Sequence, residues 1–221
     1  MRTTLSLAAL ALLAAPSTAR AQEATRMPAA SRQSIGLELG LDHAFIARVT
    51  YARRVTLGPL PDARVHVRFA LPVVLPDLGE MSLDGALRAT LLAWRDLRFS
   101  ALAGPLVKVS SNDVFVGATL GVGATLRFGY ESERWGLQAE AAYEQMLCTY
   151  IHHTDLYRQV SFAGARDGWY AFTGSTARVG LRAGVRVGAL ELTARGGIDA
   201  TGRFNALLPP YYATLSGAFA F

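Results

Sequence analysis

The side chains best suited to metal binding lie together in one stretch, CTYIHHTDLYR, which carries Cys148, His152, His153 and Asp155. The spacing of these residues matches no closed zinc motif, and adjacent histidines on a strand point to opposite faces. Cys148 is the only cysteine among the 221 residues, so the chain forms no internal disulfide. We therefore predict no metal site and no cofactor, and we interpret residues 147–172 as a long surface loop.

Hydrolytic chemistry would need a nucleophile within hydrogen-bond reach of a histidine that a third group orients. The candidate bases are His43, His66, His152 and His153. His66 alternates with Arg64 and Arg68 on one face of its segment, which is typical of a polar network rather than of a catalytic dyad. We predict that the chain carries no catalytic residues.

The N-terminal stretch has the charged, apolar, small-x-small order of a secretory signal peptide. Its apolar part, residues 5–15, is shorter than the roughly 20 residues that a helix needs to span a bilayer. We predict a signal peptide over residues 1–21, a short periplasmic segment over 22–32 and a folded domain over 33–221. The formal net charge of +5 includes Arg2 and Arg20 of the signal peptide, so we predict no nucleic-acid partner.

The remaining chain contains no run of 18 apolar residues, although 51% of the sequence is hydrophobic. Its apolar residues instead alternate with polar ones, as in ARVGLRAGVRV (residues 177–187), and this period of two predicts strands. The polar face carries charges of both signs in mid-strand, which can pair inside a barrel whose apolar face meets lipid. The residues predicted to face the lumen are Glu38, Arg64, His66, Arg68, Arg88, Glu140, Glu144, Arg178, Arg182, Arg186, Glu191 and Arg195.

The fold class predicted from this pattern is all-β, a transmembrane antiparallel up-and-down β-barrel. The strands are placed at about 33–41, 44–55, 63–74, 81–93, 97–109, 114–128, 135–146, 173–187, 190–199 and 211–221. Connections after the even strands are short, and several of the others are long, as in bacterial barrels with short periplasmic turns. Ten strands fit best, and eight or twelve remain possible.

The last eleven residues, YYATLSGAFAF, carry Tyr211, Leu215, Phe219 and the terminal Phe221 at alternating positions. With the signal peptide and the alternating strands, this ending resembles that of small bacterial outer-membrane β-barrel proteins of the porin-like class. The resemblance implies that those four residues form the signal read by the barrel-assembly machinery. It also implies an outer-membrane location and contact with outer-membrane lipids and lipopolysaccharide. The final strand should pair with the first near residues 35–41.

Aromatic residues cluster near both proposed ends of the strands, as in the girdles of membrane barrels. The set at the outer end is Phe45, Trp169, Tyr170, Phe172, Tyr211 and Tyr212.

These observations predict a monomeric, non-enzymatic outer-membrane barrel that is structural or forms a narrow passive channel with an Arg- and Glu-lined interior. Two alternatives stay open. One is an enzyme that modifies lipid A or phospholipid, although the His-Ser and His-x-Ser patterns of such barrels are absent. The other is a surface barrel that binds a ligand through the 147–172 loop, because surface contacts concentrate in long loops.

Overall fold

A computed structural model describes residues 31–42, 44–58, 60–73, 80–201 and 211–221. The predicted signal peptide, residues 1–21, lies outside the described residues, as does most of the predicted 22–32 segment. Among the described residues, no helix is both long and apolar enough to cross a lipid bilayer.

Ten strands form a closed antiparallel barrel in which every strand pairs with its neighbours in the chain. The elements are β1 Gln33–Asp42, β2 Ala44–Leu57, β3 Leu60–Pro72, β4 Glu80–Trp94, β5 Leu97–Ser111, β6 Phe115–Glu131, β7 Trp135–His153, α1 Asp155–Val160, β8 Gly168–Val187, β9 Leu190–Thr201 and β10 Tyr211–Ala220. The barrel closes where β1 pairs with β10, from Ser34 opposite Ala220 to Asp42 opposite Tyr212. The predicted ten-stranded up-and-down barrel is confirmed, as is the pairing of the last strand with the first. This architecture is that of the small outer-membrane barrels that the sequence resembles.

The two ends of the barrel differ in the length of their connections. The described connections at one end, here called the turn end, are 95–96, 132–134 and 188–189, and Gly58 follows β2 at this end. Gly58 and Gly188 adopt positive φ angles of 47° and 61° there, which glycine allows without steric strain. The described connections at the other end, the loop end, are 112–114 and 154–167.

The outer face of the barrel is apolar because the strands alternate. On β8, Val179, Leu181 and Val185 are 52%, 59% and 51% exposed. Leu215 and Phe219 on β10 are exposed to a similar degree. The alternate positions turn inward, and the polar residues that occupy them are described below.

Strands β7 and β8 are longer than the sequence pattern predicts, so the proposed 147–172 loop is wrong in its bounds. The ladder continues through Tyr150 opposite Trp169 to Ile151 opposite Gly168, and only residues 154–167 connect the strands. A register shift between Met146 and Cys148 interrupts the alternation, so the period of two in the sequence ends there although the strand continues. The rings of Tyr150 and Trp169 pack edge to face at 5.5 Å, beyond this bulge.

Tyr212 lies inside the barrel, whereas the sequence pattern placed it in an outer girdle with Tyr211. Tyr212 is 5% exposed and its neighbour Tyr211 is 53% exposed, because successive strand residues face opposite sides. The Tyr212 ring occupies space left by Gly180 and Gly197: a Cβ on Gly180 would lie 2.4 Å from the Tyr212 hydroxyl oxygen, and one on Gly197 would lie 2.9 Å from the ring. Two glycines therefore make room for one aromatic ring.

We predict that Gly180→Ala destabilises the barrel by at least about 1–3 kcal/mol, because the added methyl group collides with Tyr212 and with the Gly196 carbonyl oxygen. The measurement is the temperature at which the folded, fast-migrating gel band converts to the unfolded band. Gly174→Ala on the same strand is the control, because no atom lies within 4 Å of its added Cβ. Equal transition temperatures for the two variants would contradict this packing.

Candidate functional site in the barrel interior

Ion pairs between strands that are not neighbours show which side chains fill the interior. Arg178 on β8 bonds Asp42 on β1 at 2.8 Å, although β9 and β10 lie between those strands. Lys108 on β5 likewise bonds Glu144 on β7 at 2.9 Å, across β6. Such pairs can form only across the lumen.

Eight of the interior charges form one connected network of alternating sign. Glu38 accepts from Arg48 at 2.7 Å and lies 3.6 Å from Arg195, and Asp42 is bonded by both Arg48 and Arg178. In order, the chain of pairs runs Arg127, Glu140, Arg195, Glu38, Arg48, Asp42, Arg178 and Asp199. Four arginines thus alternate with four carboxylates and neutralise one another.

The half of the lumen nearer the turn end is filled by charged and amide side chains. Glu140 accepts from Arg127 at 2.7 Å and from Arg195, and its side chain is 2% exposed. The Gln138 amide donates to Glu131 at 3.1 Å, and Arg182 and Arg186 both donate to Glu191. We call this cluster the ionic plug, and its members are Arg88, Arg127, Glu131, Gln138, Glu140, Arg182, Glu191 and Arg195.

The predicted lumen residues outside the plug also have defined surroundings. Arg64 donates to Asp62, and Arg68 donates from its Nε to Asp84 at 2.5 Å. His66 is the exception: in the described part of the chain its Nε2 is buried without a hydrogen-bond partner.

Sequence reasoning missed most of these pairs because it left out one or both partners. Those partners are Asp42, Arg48, Asp62, Asp84, Lys108, Arg127, Glu131 and Asp199. Strand parity could have found several of them. Asp42 lies four residues after Glu38 on the same face of β1, and Arg127 lies on the polar face of β6 opposite Glu140. Pairs between distant strands, such as Arg178 with Asp42, leave no pattern in the sequence around either residue.

Above the plug, toward the loop end, lies a cavity of about 300 Å³. Successive inward positions pass from cavity to plug on three strands: Ala86 to Arg88 on β4, Thr125 to Arg127 on β6, and Ala142 to Glu140 on β7. The cavity reaches the loop end at Glu80 and Ser110. The plug therefore forms the floor of the cavity.

The lining of the cavity is both apolar and charged. Strands β2 to β5 contribute the buried apolar side chains Ile46, Leu102, Leu106 and Ala86, here called the apolar wall, together with the charged Arg48, Arg68, Glu80, Asp84 and Lys108. Strands β1, β7, β8 and β9 contribute the charged residues Asp42, Glu144, Arg178 and Arg195. An apolar patch inside the lumen is a feature that the predicted polar interior did not include.

At the loop end, Asp167 gathers the two histidines that the sequence pattern placed on opposite faces. Its carboxylate lies 2.6 Å from Nδ1 of His152 and 3.2 Å from Nδ1 of His153, and it pairs with Arg158 at 2.5 Å. The two rings differ in exposure, 58% for His152 and 16% for His153, and the Asp167 carboxylate beside the strand end is within reach of both. No three described His, Cys, Asp or Glu side chains are grouped so as to hold a metal ion.

The hydrogen bond from Arg158 is the main reason that the pKa of Asp167 lies well below its usual range, and the backbone N–H of His153 lowers it further. A lowered pKa means that the folded loop favours the ionised carboxylate. The contribution of Asp167 to loop stability is therefore present at neutral pH and is lost as the pH falls through the lowered pKa.

We predict that Glu140→Gln lowers the free energy of unfolding by about 3–5 kcal/mol, because it leaves Arg127 and Arg195 buried with their shared carboxylate neutralised. The measurement is the thermal conversion of the folded gel band. Glu133→Gln, at an exposed position in the 132–134 turn, should leave the transition unchanged. A loss no larger in Glu140→Gln than in the control would contradict the role of the plug in stability.

We predict that Asp167→Asn loosens the 154–167 connection, because it removes the charge that holds Arg158 and both histidines. The measurement is the rate of proteolytic cleavage within 154–167 on the folded barrel. Asp155→Asn is the matched control, because the Asp155 side chain is 90% exposed and contacts Arg158 only at 3.7 Å. Cleavage at equal rates in the two variants would show that Asp167 does not anchor this loop.

Comparison with known proteins gives no family. No protein-family model matches the chain, and no curated protein matches it. Solved structures with a similar outline include a KdgM porin and a KdgM porin in complex with disordered oligogalacturonate. Each is 8% identical and covers 85% of this chain and 99% of its own, with TM-scores of 0.40 and 0.39. Similarity at this level supports no functional assignment, which rests instead on the geometry above.

Proposed function

We propose that the protein is an integral outer-membrane barrel without enzymatic activity. Its lumen is closed at the turn end by the ionic plug, so that it serves as a structural barrel rather than as an open channel. The observation that carries this proposal is the plug itself, in which side chains from β4, β6, β7, β8 and β9 meet across the lumen.

The membrane location is supported by the outer face. Large exposed apolar side chains lie on every described strand except β5, including Leu37, Val67, Val122, Leu181 and Leu215, which are 45% or more exposed. Water-soluble monomers rarely expose contiguous apolar patches of more than a few hundred Å². An apolar face of this kind requires a lipid environment, with lipopolysaccharide at the loop end. One chain closes the barrel by itself, so we propose a monomer.

Closure of the lumen follows from barrel size and from charge. Eight strands enclose just enough space for side chains, and ten enclose only slightly more. Glu131 and Glu140 have side chains that are 3% and 2% exposed, so little water reaches the plug. Separating a buried pair leaves an uncompensated charge, at a cost of about 3–5 kcal/mol. A solute could pass only by separating several such pairs.

A surface ligand-binding barrel is the second candidate, and one observation favours it. The 154–167 connection and the adjoining start of β8 expose Leu156, Val160, Phe162 and Trp169, each at least 58%. These apolar side chains lie at the tip of the longest hairpin in the described structure.

The decisive experiment is single-channel recording in planar bilayers with protein extracted from the outer-membrane fraction. We expect no sustained conductance steps from the natural protein. We expect steps from the double variant Arg182→Ala/Glu191→Ala, because it removes two long side chains from the plug and the carboxylate that pairs with Arg186, and leaves the net charge unchanged.

The matched control is Arg68→Ala/Asp84→Ala, which removes an equivalent pair from the wall of the cavity and leaves the plug intact. This variant should be as silent as the natural protein. Sustained conductance by the natural protein would refute the closed lumen, and equal conductance by both double variants would show that the plug is not the barrier. Absence of the chain from the outer-membrane fraction would refute the location.

A further inference from the structure

We propose that the cavity above the ionic plug is a binding site for a small organic anion, a carboxylate with a compact apolar body. The apolar wall would receive the body, and Lys108 and Arg68 would bind the carboxylate. This proposal does not depend on whether the barrel conducts.

The size and accessibility of the cavity suit a small molecule. Its volume of about 300 Å³ is at the lower end of the range for ligand pockets, and corresponds to roughly ten water molecules. The described lining reaches Glu80 and Ser110 at the loop end, and the plug closes the opposite side. A ligand would therefore enter at the loop end and would be stopped by the plug.

The apolar wall combines two leucines with small residues. Leu102 and Leu106 point inward, and Gly121 and Gly123 on β6 leave space beside the Leu106 side chain. Ala70 on β3 and Ala86 on β4 have small side chains. The next inward residue toward the turn end is a long arginine on each strand, Arg68 on β3 and Arg88 on β4. The apolar part of a ligand would displace from this wall water molecules that make few hydrogen bonds there.

Unused hydrogen-bond donors decide the charge of the ligand. Arg68 uses its Nε for Asp84, and no described residue accepts from its two terminal nitrogens. Lys108 donates to Glu144 alone and keeps two further N–H groups. The buried lining atoms without a described partner include Nε of Arg48 and of Arg195, whereas the one lining carboxylate without a described partner, Glu80, is exposed at the loop end.

The Lys108 pair differs from the pairs of the plug in its exposure. The side chains of Lys108 and Glu144 are 37% and 25% exposed, whereas Glu140 in the plug is 2% exposed. A partly hydrated pair exchanges partners at little cost, so an incoming carboxylate can share Lys108 with Glu144. Lys108 is also the only lysine among the 22 lysine and arginine residues. Lysine offers a compact, rotatable ammonium where arginine would offer a rigid fork.

The test is a ¹⁹F NMR titration of the barrel in lipid nanodiscs with two probes of equal size, 4-fluorobenzoate and 4-fluorobenzylammonium, and with empty nanodiscs as the blank. We expect saturable binding of the benzoate and none of the ammonium. Ala86→Phe should abolish the binding by filling the cavity, whereas Ala141→Phe, the same change on the outer face, should not.

A second variant, Lys108→Met/Glu144→Gln, removes both members of the pair without changing the net charge or the side-chain lengths much. We expect it to weaken benzoate binding by about tenfold or more, as the loss of a charge-assisted hydrogen bond would. Retention of the folded gel band shows that each variant has formed the barrel. Three results would overturn the proposal: no saturable binding of the benzoate, equal binding of the ammonium, or benzoate binding that survives Ala86→Phe.

Discussion

Charge neutralisation inside a narrow, poorly hydrated lumen is the constraint on which the rest of this structure depends. An ionised group removed from water is tolerated only where an opposite charge and hydrogen bonds replace its solvation. The network from Arg127 to Asp199 meets this requirement by alternating sign at every step. It also connects distant parts of the chain, because Arg195 on β9 reaches Glu38 on β1 across the strand that closes the barrel.

The contrast between plug and cavity arises from side-chain size at equivalent inward positions. Where β4, β6 and β7 carry Arg88, Arg127 and Glu140, long side chains meet in the middle of the lumen. One inward step toward the loop end the same strands carry Ala86, Thr125 and Ala142, which are too short to meet. Side-chain length thus divides the lumen of the barrel into the ionic plug and the cavity.

Aromatic packing and ionic pairing are coupled at Tyr212. Its ring lies 5.9 Å from the guanidinium carbons of both Arg178 and Arg195, so it contacts two arginines of the network. The ring fits only because Gly180 and Gly197 lack side chains. The two glycines therefore allow Tyr212 to lie against the arginines of the network.

The sequence alone determined the barrel class, the strand count that fits best and the closing role of the last strand. Each of these follows from a period of two or from connection length, which are local properties of the chain. Only the tertiary structure decided that Arg178 pairs with Asp42, 136 positions away, that Tyr212 points inward, that β7 continues past its bulge to His153, and that the lumen is half filled. The physical reason is that strand periodicity specifies which face a residue occupies, whereas its partner depends on the stagger and closure of all ten strands.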